Sequence, residues 1–547
     1  MQNDKIAEIL DLYANLISLH GENNFKVNTY KNAAFNIKKK TPELLTNIST
    51  EQLYKMPQFG KSIADKIIEI IAQGSFSALD ELLSITPKGV IEILKIRGLG
   101  PKKVQIIWQE MGITSIAELL DACRENRLAL AKGFGEKTQQ QVLDALQFSL
   151  NSEGLIHWAK AEKYTQLINK SLLTIITESD YHWVGQFCRK NAIISHLELI
   201  IDEDYKRSII ILLNNYDLIQ DESNKNIYKC KIDNSLLFSI YFFERSNIAW
   251  QQYQLNTPLE IQNILKINQI DANSEQELFT KQNKPFIIAE VRETENKYWI
   301  EKPRNLIVQQ DLKGCLHNHT TYSDGMNTLS EMAAACLALN LSYFGVCDHS
   351  KSAGYAGGMQ LDKVFKQWDE IDVLNKKYSN FKIYKGIESD ILADGSLDYE
   401  NDVLGKFDFV VASIHSNLKM EEEKAMKRLI KAIEHPCTRI LGHPTGRLLL
   451  MRDGYPIDHK KIIDACATNN VAIELNAHPY RLDIDWRYID YCMQKGVLIS
   501  INPDAHIIGG LTDMRYGINV ARKGGLEKTY CLNTKSIEDF EKWLKEK

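Results

Sequence analysis

Lys313-Gly314-Cys315-Leu316-His317-Asn318-His319-Thr320-Thr321-Tyr322-Ser323-Asp324-Gly325 sets two histidines one residue apart after a short apolar lead-in and closes on an aspartate. The same device, an apolar run ending in a histidine or an acid, recurs downstream. Ser342 to Cys347 leads to Asp348-His349, Phe381 to Ile387 leads to Glu388, and Phe407 to Ile414 leads to His415. Thr438 to Gly442 leads to His443, and Gly496 to Pro503 leads to Asp504-Ala505-His506. Short apolar runs separated by helical stretches read as repeated β/α units. In a β/α barrel the C-terminal strand ends converge on one rim, where side chains from different strands meet. Imidazole together with carboxylate suits Zn, Mn or Fe, and one carboxylate can bridge two ions. A single histidine at a strand end is ordinarily a hydrogen-bonded structural residue. Histidines and acids at the ends of successive runs point instead to a multinuclear metal site.

At these residues the chain resembles a PHP (polymerase and histidinol phosphatase) domain, from about Asp311 to the C-terminus. The matching stretches are His317-Asn318-His319, Ser323-Asp324-Gly325, Asp348-His349-Ser350, Gly386-Ile387-Glu388, Ser413-Ile414-His415-Ser416, Gly442-His443-Pro444-Thr445-Gly446-Arg447 and Asp504-Ala505-His506. The subgroup it resembles is the PHP domain of bacterial family X DNA polymerases (PolX), to which Met514-Arg515-Tyr516-Gly517 and Ala521-Arg522-Lys523-Gly524 are also similar. The resemblance implies a distorted (βα)7 barrel and three divalent ions. It carries the ligands over to His317, His319, Asp324, His349, Glu388, His415, His443, Asp504 and His506, with Glu388 bridging. Glu388, Asp504 and His319 are the implied catalytic positions, in a site where cations acidify a water that attacks a phosphodiester. Arg447, four residues past His443, is a candidate phosphate clamp because guanidinium pairs bidentately with phosphate; a structural salt bridge competes with that role. Lys351 is a weaker candidate. His435, His459 and His478 match no ligand position.

Composition limits the alternatives. The chain has 547 residues, room for several domains, with 44% hydrophobic and 25% charged residues, as in ordinary soluble proteins. No apolar run is long enough to span a bilayer, and Asp4, Lys5, Glu8 and Asp11 stand where a signal peptide would be apolar. Ten cysteines without CxxC spacing suggest reduced thiols in a cytoplasm. A net charge of −5 requires any nucleic-acid contact to come from local patches.

Such patches lie near the N-terminus. Asn3 to Leu19 carries Ile6, Ile9, Leu10, Tyr13, Leu16 and Ile17 at helical spacing. Then come Asn24-Phe25-Lys26-Val27-Asn28-Thr29-Tyr30-Lys31 and Lys38-Lys39-Lys40, where tyrosine among lysines can stack on a base while the amines meet phosphate. A solvated basic helix face explains the stretch equally well. Three turns follow, each just before an amphipathic helix: Pro57-Gln58-Phe59-Gly60-Lys61, Arg97-Gly98-Leu99-Gly100-Pro101-Lys102-Lys103 and Lys132-Gly133-Phe134-Gly135-Glu136-Lys137. They resemble helix-hairpin-helix motifs, whose glycines and helix-end amides hold DNA backbone without reading sequence. The first departs from the pattern with Gln58 at the first glycine position.

The region up to about Leu150 resembles the lyase-like and fingers subdomains of family X polymerases, with residues 1–80 and 81–150 as the expected domains. The lyase lysine would match Lys66, though an ordinary exposed helix lysine is the favoured reading. Lys26, Tyr30 and Lys31 would match DNA-end contacts. Residues 151–305 fall where the nucleotidyltransferase palm and thumb belong. That family needs a Gly-Ser turn for the triphosphate and three aspartates for two Mg²⁺ ions. Here Gly185 remains, Gln186 takes the serine position, and His196 and Glu198 take two aspartate positions. The strand around Leu236 to Tyr241 offers no third. Imidazole is a poor ligand for Mg²⁺, so a degenerate α/β palm without polymerase activity is expected. Asp202 and Asp204 read as solvated acids in a charged turn past the strand. Residues 311–547 form the PHP phosphoesterase domain.

The expected protein is therefore a DNA-binding, metal-dependent 3′–5′ exonuclease of DNA repair, acting on gapped or 3′-ended duplex. A small-molecule phosphatase resembling histidinol phosphatase and a non-catalytic DNA-end scaffold are the alternatives.

Overall fold

The computed structural model describes residues 3–41, 45–56, 59–96, 98–151, 153–233, 235–302 and 304–546. Pro57, Gln58, Arg97, Ser152 and Pro303, and the side chains of Lys39 and Lys40, belong to expectations above but lie outside the described residues. The chain divides into one unit of Met1–Glu153 and another of Gly154–Lys547.

Helices make up the first unit. Asn3–Leu19 buries Ile6, Ile9, Leu10, Tyr13, Leu16 and Ile17, the stripe that its spacing predicts. Asn24–Lys40 begins where Asn23 Oδ1 accepts the Phe25 amide at 2.9 Å, satisfying a first-turn donor. In the second and third hairpins, Gly98 (φ +86°) and Gly133 (φ +84°) take the left-handed conformation that only glycine adopts cheaply. Helix Lys61–Gln73 starts at Gly60, Pro101–Gln105 at Gly100 and Glu136–Asn151 after Gly135. A side chain placed on Gly60, Gly100 or Gly135 would meet open space, so the backbone there is approachable.

The second unit begins with a five-stranded mixed sheet. Its strands are Tyr181–Val184 (β1), His196–Asp202 (β2), Ile219–Gln220 (β3), Ile227–Ile232 (β4) and Leu236–Phe243 (β5), in the order β1-β2-β5-β4-β3. Only β2 and β5 run parallel. One expectation fails here. Asp202 is the last residue of β2, and it is 3% exposed rather than solvated. It accepts the Asp204 amide at 3.2 Å and lies 3.7 Å from Arg245 Nε, so it is retained as a turn cap and ion partner.

Seven parallel strands then follow in strict sequence order: Gly314–Cys315 (β6), Tyr343–Val346 (β7), Lys382–Asp390 (β8), Phe409–Ser413 (β9), Thr438–Leu441 (β10), Ala472–Asn476 (β11) and Ile499–Asn502 (β12). A bridge between Asn318 and Ala505, just beyond β6 and β12, brings the two edges together into a nearly closed barrel. Being covered on both faces, the strands are buried throughout much of their length, which explains their near-continuous apolar character. The end of the barrel away from the histidines is sealed by helix Ile537–Leu544. Its Phe540 stacks on Tyr343 at 5.2 Å and meets Tyr384 edge-on at 4.9 Å.

Removing that plug creates a cavity lined by aromatic rings. Phe540→Ala is expected to destabilise the second unit by about 3–5 kcal/mol, read as a lower denaturant midpoint with an unchanged slope. A shift below about 0.5 kcal/mol would show that Phe540 does not seal the barrel.

Candidate metal centre

Six of the seven barrel strands, all but β11, deliver a candidate ligand at or near the C-terminal end. His317 and His319 follow β6, His349 follows β7, and Glu388 lies in the last turns of β8. His415 follows β9, His443 follows β10, and Asp504 and His506 follow β12. Asp324 reaches the same rim from the loop after β6. Three groups have ligand atoms mutually within 4.8 Å: His319, Asp324, His349 and His506; His317, His319 and Asp504; and His349, Glu388 and His415.

Glu388, 1% exposed, is the hub. Its Oε1 lies 3.3 Å from His317 Nε2, 3.1 Å from His415 Nε2 and 3.0 Å from His443 Nε2. Its Oε2 lies 2.9 Å from His349 Nδ1 and 3.6 Å from His319 Nε2. Asp504 Oδ1 is 3.0 Å from His319 Nε2, and Asp324 Oδ2 is 3.3 Å from His506 Nε2.

A second layer of acids fixes the rings. His317 Nδ1 donates to Glu474 Oε1 at 2.7 Å, and His415 Nδ1 donates to Asp390 Oδ1 at 2.5 Å. A carboxylate on Nδ1 keeps a proton there, so Nε2, which faces Glu388, is the nitrogen that gives up its proton when a metal binds. Glu474 also accepts the His443 amide at 2.7 Å and Asn502 Nδ2 at 3.1 Å. Asp348 accepts the Thr320 amide, the Thr320 and Ser323 hydroxyls and Gln367 Nε2, which pins the His319–Asp324 loop. The sequence reading passed over Glu474 and Asp390, and quoted Asp348 without giving it this role. Their signal was an acid inside or directly after an apolar strand, where an uncompensated charge would be costly.

Electrostatics bind the groups together. Burial alone would raise the Glu388 carboxyl, but His415, His317 and His349 hold it well below the usual range. Burial would lower His415 and His506; Glu388 and Asp390 raise the first to about 10, and Asp324 and Asp504 raise the second to about 9. His319 goes the other way, to about 3, through burial beside His506 and His349. The buried His317 Nε2 and His319 Nδ1 make no hydrogen bond of good geometry. Unsatisfied buried nitrogens among carboxylates are what a metal-binding set leaves behind, so these residues fit divalent ions.

Arg447 takes the structural role that competed with phosphate binding: its guanidinium donates to Arg481 O at 3.0 Å, to Asp485 Oδ2 at 2.7 Å and to Leu482 O. His435 bonds Asn401, His459 stacks on Tyr488 at 4.0 Å, and His478 accepts the Tyr480 amide, all away from the ligand groups. Lys351 lies 5.5 Å from the Tyr399 ring.

In the five-stranded sheet, the residues at the palm positions are occupied by one another. His196 Nε2 lies 2.8 Å from Ser239 Oγ, and Glu198 accepts from Tyr241 at 2.9 Å. The Gly185 amide donates to Asn256 Oδ1 at 2.9 Å, and Gln186 Oε1 accepts the Ser195 amide at 2.8 Å. A side chain on Gly185 would meet Glu198 Oε2 at 1.9 Å, so that carboxylate fills the space above the turn. Among the described residues, no group of metal-ligand type lies in this sheet.

On the first unit, Lys31, Lys61, Lys102, Lys103 and Lys137 are all at least partly solvent-facing, and Lys26 pairs with Glu22 at 3.4 Å. Tyr30 departs from expectation. It is 7% exposed and packs edge-on to Tyr13 at 4.7 Å, so it cannot stack on a base. Phe25, at 80%, and Phe35, at 51%, are the exposed rings of that helix among the described residues. Lys66 pairs with Glu69 at 3.0 Å and lies 5.1 Å from the Phe76 ring.

Comparison with known proteins agrees with this architecture. The families described as "Helix-hairpin-helix domain", "SAM-like Helix-hairpin-helix tandem" and "PHP domain" match residues 1–76, 90–147 and 316–478. The chain is 31% identical over 570 positions to the DNA polymerase/3′-5′ exonuclease PolX of Bacillus subtilis (strain 168), covering 100% of both. Its barrel is 26% identical over 244 positions to a probable phosphatase of Thermoanaerobacter sp. (strain X514), covering 42% of this chain and 94% of that one. A probable phosphatase of Caldicellulosiruptor saccharolyticus is 28% identical over 247 positions, with 42% and 94% covered.

Two outcomes follow. Since His415 and His506 hold their protons near neutral pH and a metal takes neutral imidazole, loading must expel protons and tighten as pH rises toward about 9 to 10. Mn²⁺ calorimetry in two buffers of different ionisation heat should show net proton release; buffer-independent heats would contradict this charge state. Glu474→Gln keeps the shape but removes the charged acceptor for His317. It should weaken metal affinity about ten- to hundredfold, measured by competition with a chelating dye.

Proposed function

The chain belongs to the bacterial PolX family, the family X DNA polymerases with a C-terminal PHP domain, and on that premise we propose that it is a 3′–5′ exodeoxyribonuclease of DNA repair whose polymerase segment is inactive. At the coarser level, membership and the matched segments make it a metal-dependent phosphoesterase with helical DNA-binding domains. The observation that carries the finer reading is the convergence of imidazoles and acids on Glu388 in a chain that also holds helix-hairpin-helix segments.

The work divides along the sequence. Residues 1–80 and 81–150 hold duplex DNA near a gap or 3′ end, through Lys26, Lys31, Lys61, Lys102, Lys103 and Lys137 and the backbone at Gly60, Gly98, Gly100, Gly133 and Gly135. Residues 151–305 serve as scaffold. Residues 311–547 carry the hydrolysis, with three ions of Mn, Zn or Fe held by His317, His319, Asp324, His349, Glu388, His415, His443, Asp504 and His506. When bound, the ions supply the positive charge that acidifies an attacking water and holds phosphate oxygens. The chain's own part is to orient the ligands: Glu474 and Asp390 keep protons on Nδ1 of His317 and His415, and burial of Glu388 keeps bulk water from competing for its oxygens. Loss of polymerisation is supported by the Gly185 amide, already donated to Asn256, and by His196 and Glu198, paired with Ser239 and Tyr241. The ten free cysteines accord with a cytoplasmic site of action.

The likeness of the barrel to probable phosphatases favours a second reading, hydrolysis of a small phosphate monoester. A time course on a 3′-recessed, end-labelled duplex with Mn²⁺, with and without deoxynucleotides, separates the two. Stepwise shortening, reduced more than about a hundredfold by His319→Ala, is expected, with no extension. Intact DNA beside rapid turnover of p-nitrophenyl phosphate would favour the phosphatase, and primer extension would restore the polymerase.

A further inference from the structure

The rim loop after β11 leaves an aromatic ring partly in water: Tyr480 is 43% exposed. Its neighbour in sequence, Arg481, brings Nε to 3.7 Å from Asp504 Oδ2, a member of the His317 and His319 ligand group. Consecutive Cα atoms are about 3.8 Å apart, so Tyr480 stands one residue from the edge of the metal centre. Met451, 48% exposed, lies on the adjoining hairpin that the Leu448–Arg452 bridge closes. Two large, largely apolar side chains left in water beside a polar centre offer a contact surface to something apolar.

The tyrosine is held from behind. Tyr480 O accepts the Leu449 amide at 2.6 Å, and Leu449 O accepts His157 Nε2 at 2.8 Å. The His157 ring then returns to the Tyr480 ring, 4.2 Å away between centroids and tilted by 36°. These contacts close a loop that fixes both the backbone and the ring of Tyr480. His478 adds to it: its Nδ1 accepts the Tyr480 amide at 3.2 Å, and its ring meets the tyrosine edge-on at 5.3 Å. His157 is fixed in turn, since it pairs with Ile193 in a short antiparallel ladder of the middle segment. A ring that is already ordered and still partly in water loses little entropy when a ligand stacks on it. Beside a phosphoesterase centre the matching ligand is a nucleobase, because every base has a π-face and stacking tolerates any sequence. A sugar phosphate or another small monoester has no such face.

We propose that Tyr480 stacks on the nucleobase of the terminal nucleotide, the one released as its 5′-monophosphate, with His157 as the positioning residue that holds the ring. The proposal rests on the phosphoesterase reading and makes the centre selective for nucleotidyl esters over small phosphate monoesters. It also gives the middle segment a part in substrate binding, through His157.

The test uses the full-length, Mn²⁺-loaded protein and two chromogenic diesters, thymidine 5′-(p-nitrophenyl) phosphate and the same ester of the deoxyribose analogue that lacks the base. The ratio of their kcat/KM values isolates the base. Wild type should favour the thymidine ester about five- to hundredfold. Tyr480→Ala should bring the ratio close to one, Tyr480→Phe should keep it, and His157→Ala should lower it severalfold. All three should retain their Mn²⁺ by elemental analysis. Equal turnover of both esters by the wild type would overturn the proposal. So would a ratio that Tyr480→Ala leaves intact, or one that falls only together with bound Mn²⁺. Should neither ester be cleaved, the phosphoesterase reading fails by itself. Calorimetry of thymidine 5′-monophosphate against deoxyribose 5-phosphate, on wild type and Tyr480→Ala, then still decides the role of Tyr480.

Discussion

The burial of the Glu388 carboxylate is the constraint on which the second unit depends. An ionised carboxyl withdrawn from water is tolerated only when its lost hydration is replaced by charge and hydrogen bonds. Here five imidazoles do so, brought by strands or strand ends from β6 to β10. No local segment could assemble such a set. It needs parallel strands in sequence order with their C-terminal ends on one rim, and edges close enough for Asn318 to bridge to Ala505. The imidazoles in turn need fixed tautomers, which explains why buried acids such as Glu474 and Asp390 stand behind them. The geometry is thus nested: the backbone places the acids, the acids orient the rings, and the rings stabilise one anion.

The five-stranded sheet shows the same accounting with the opposite result. A phosphoryl-transfer centre needs carboxylates whose charge awaits a metal and amides that await a phosphate. At the corresponding positions the polar groups are paired internally, Gly185 with Asn256, Gln186 with Ser195, His196 with Ser239 and Glu198 with Tyr241. Internal satisfaction removes the cost of leaving polar groups unpaired, and with it the electrostatic vacancy that would attract ions.

The barrel and its strand order were legible in the sequence, and so was the convergence of histidines and acids on one rim, because all of these candidates but Asp324 stand at or near the end of an apolar run. The hairpins were legible because glycine and lysine recur at fixed offsets before helices. The supporting acids were not, since an acid within a run such as Val471 to Asn476 announces nothing until its neighbour across the barrel is known. Tyr30 misled for a related reason: a tyrosine among lysines suggests exposure, but helical phase turns it toward Tyr13 and leaves Phe25 outside. Arg447 misled by proximity in sequence. Four residues past His443, it bonds Asp485, while Arg481, distant in sequence from every expected ligand, comes beside Asp504. Asp202 read as a solvated turn residue because its ion partner, Arg245, is remote in the chain.

The middle segment is also tied structurally to the barrel, which gives it a physical role independent of polymerase chemistry. Helix Met514–Lys523 of the barrel turns Lys523 into this segment, where the ammonium donates to Arg189 O and Asn191 Oδ1 at 2.9 Å and to Glu293 at 2.5 Å. Burial lowers Lys523 to about 8 despite Glu293, so the charge is costly there and depends on those partners. Arg515 and Arg522 of the same helix pair with Glu162 and Glu290, while Arg487 pairs with Glu295. Deleting the segment would strand a buried cation, remove the acid partners of Arg515 and Arg522, and release Leu449 and Tyr480 from His157. Residues that flank the sheet, among them His157, Glu162, Arg189, Asn191, Glu290 and Glu293, thus hold a helix and rim loops of the barrel, a structural role that is separate from any chemistry in the sheet itself.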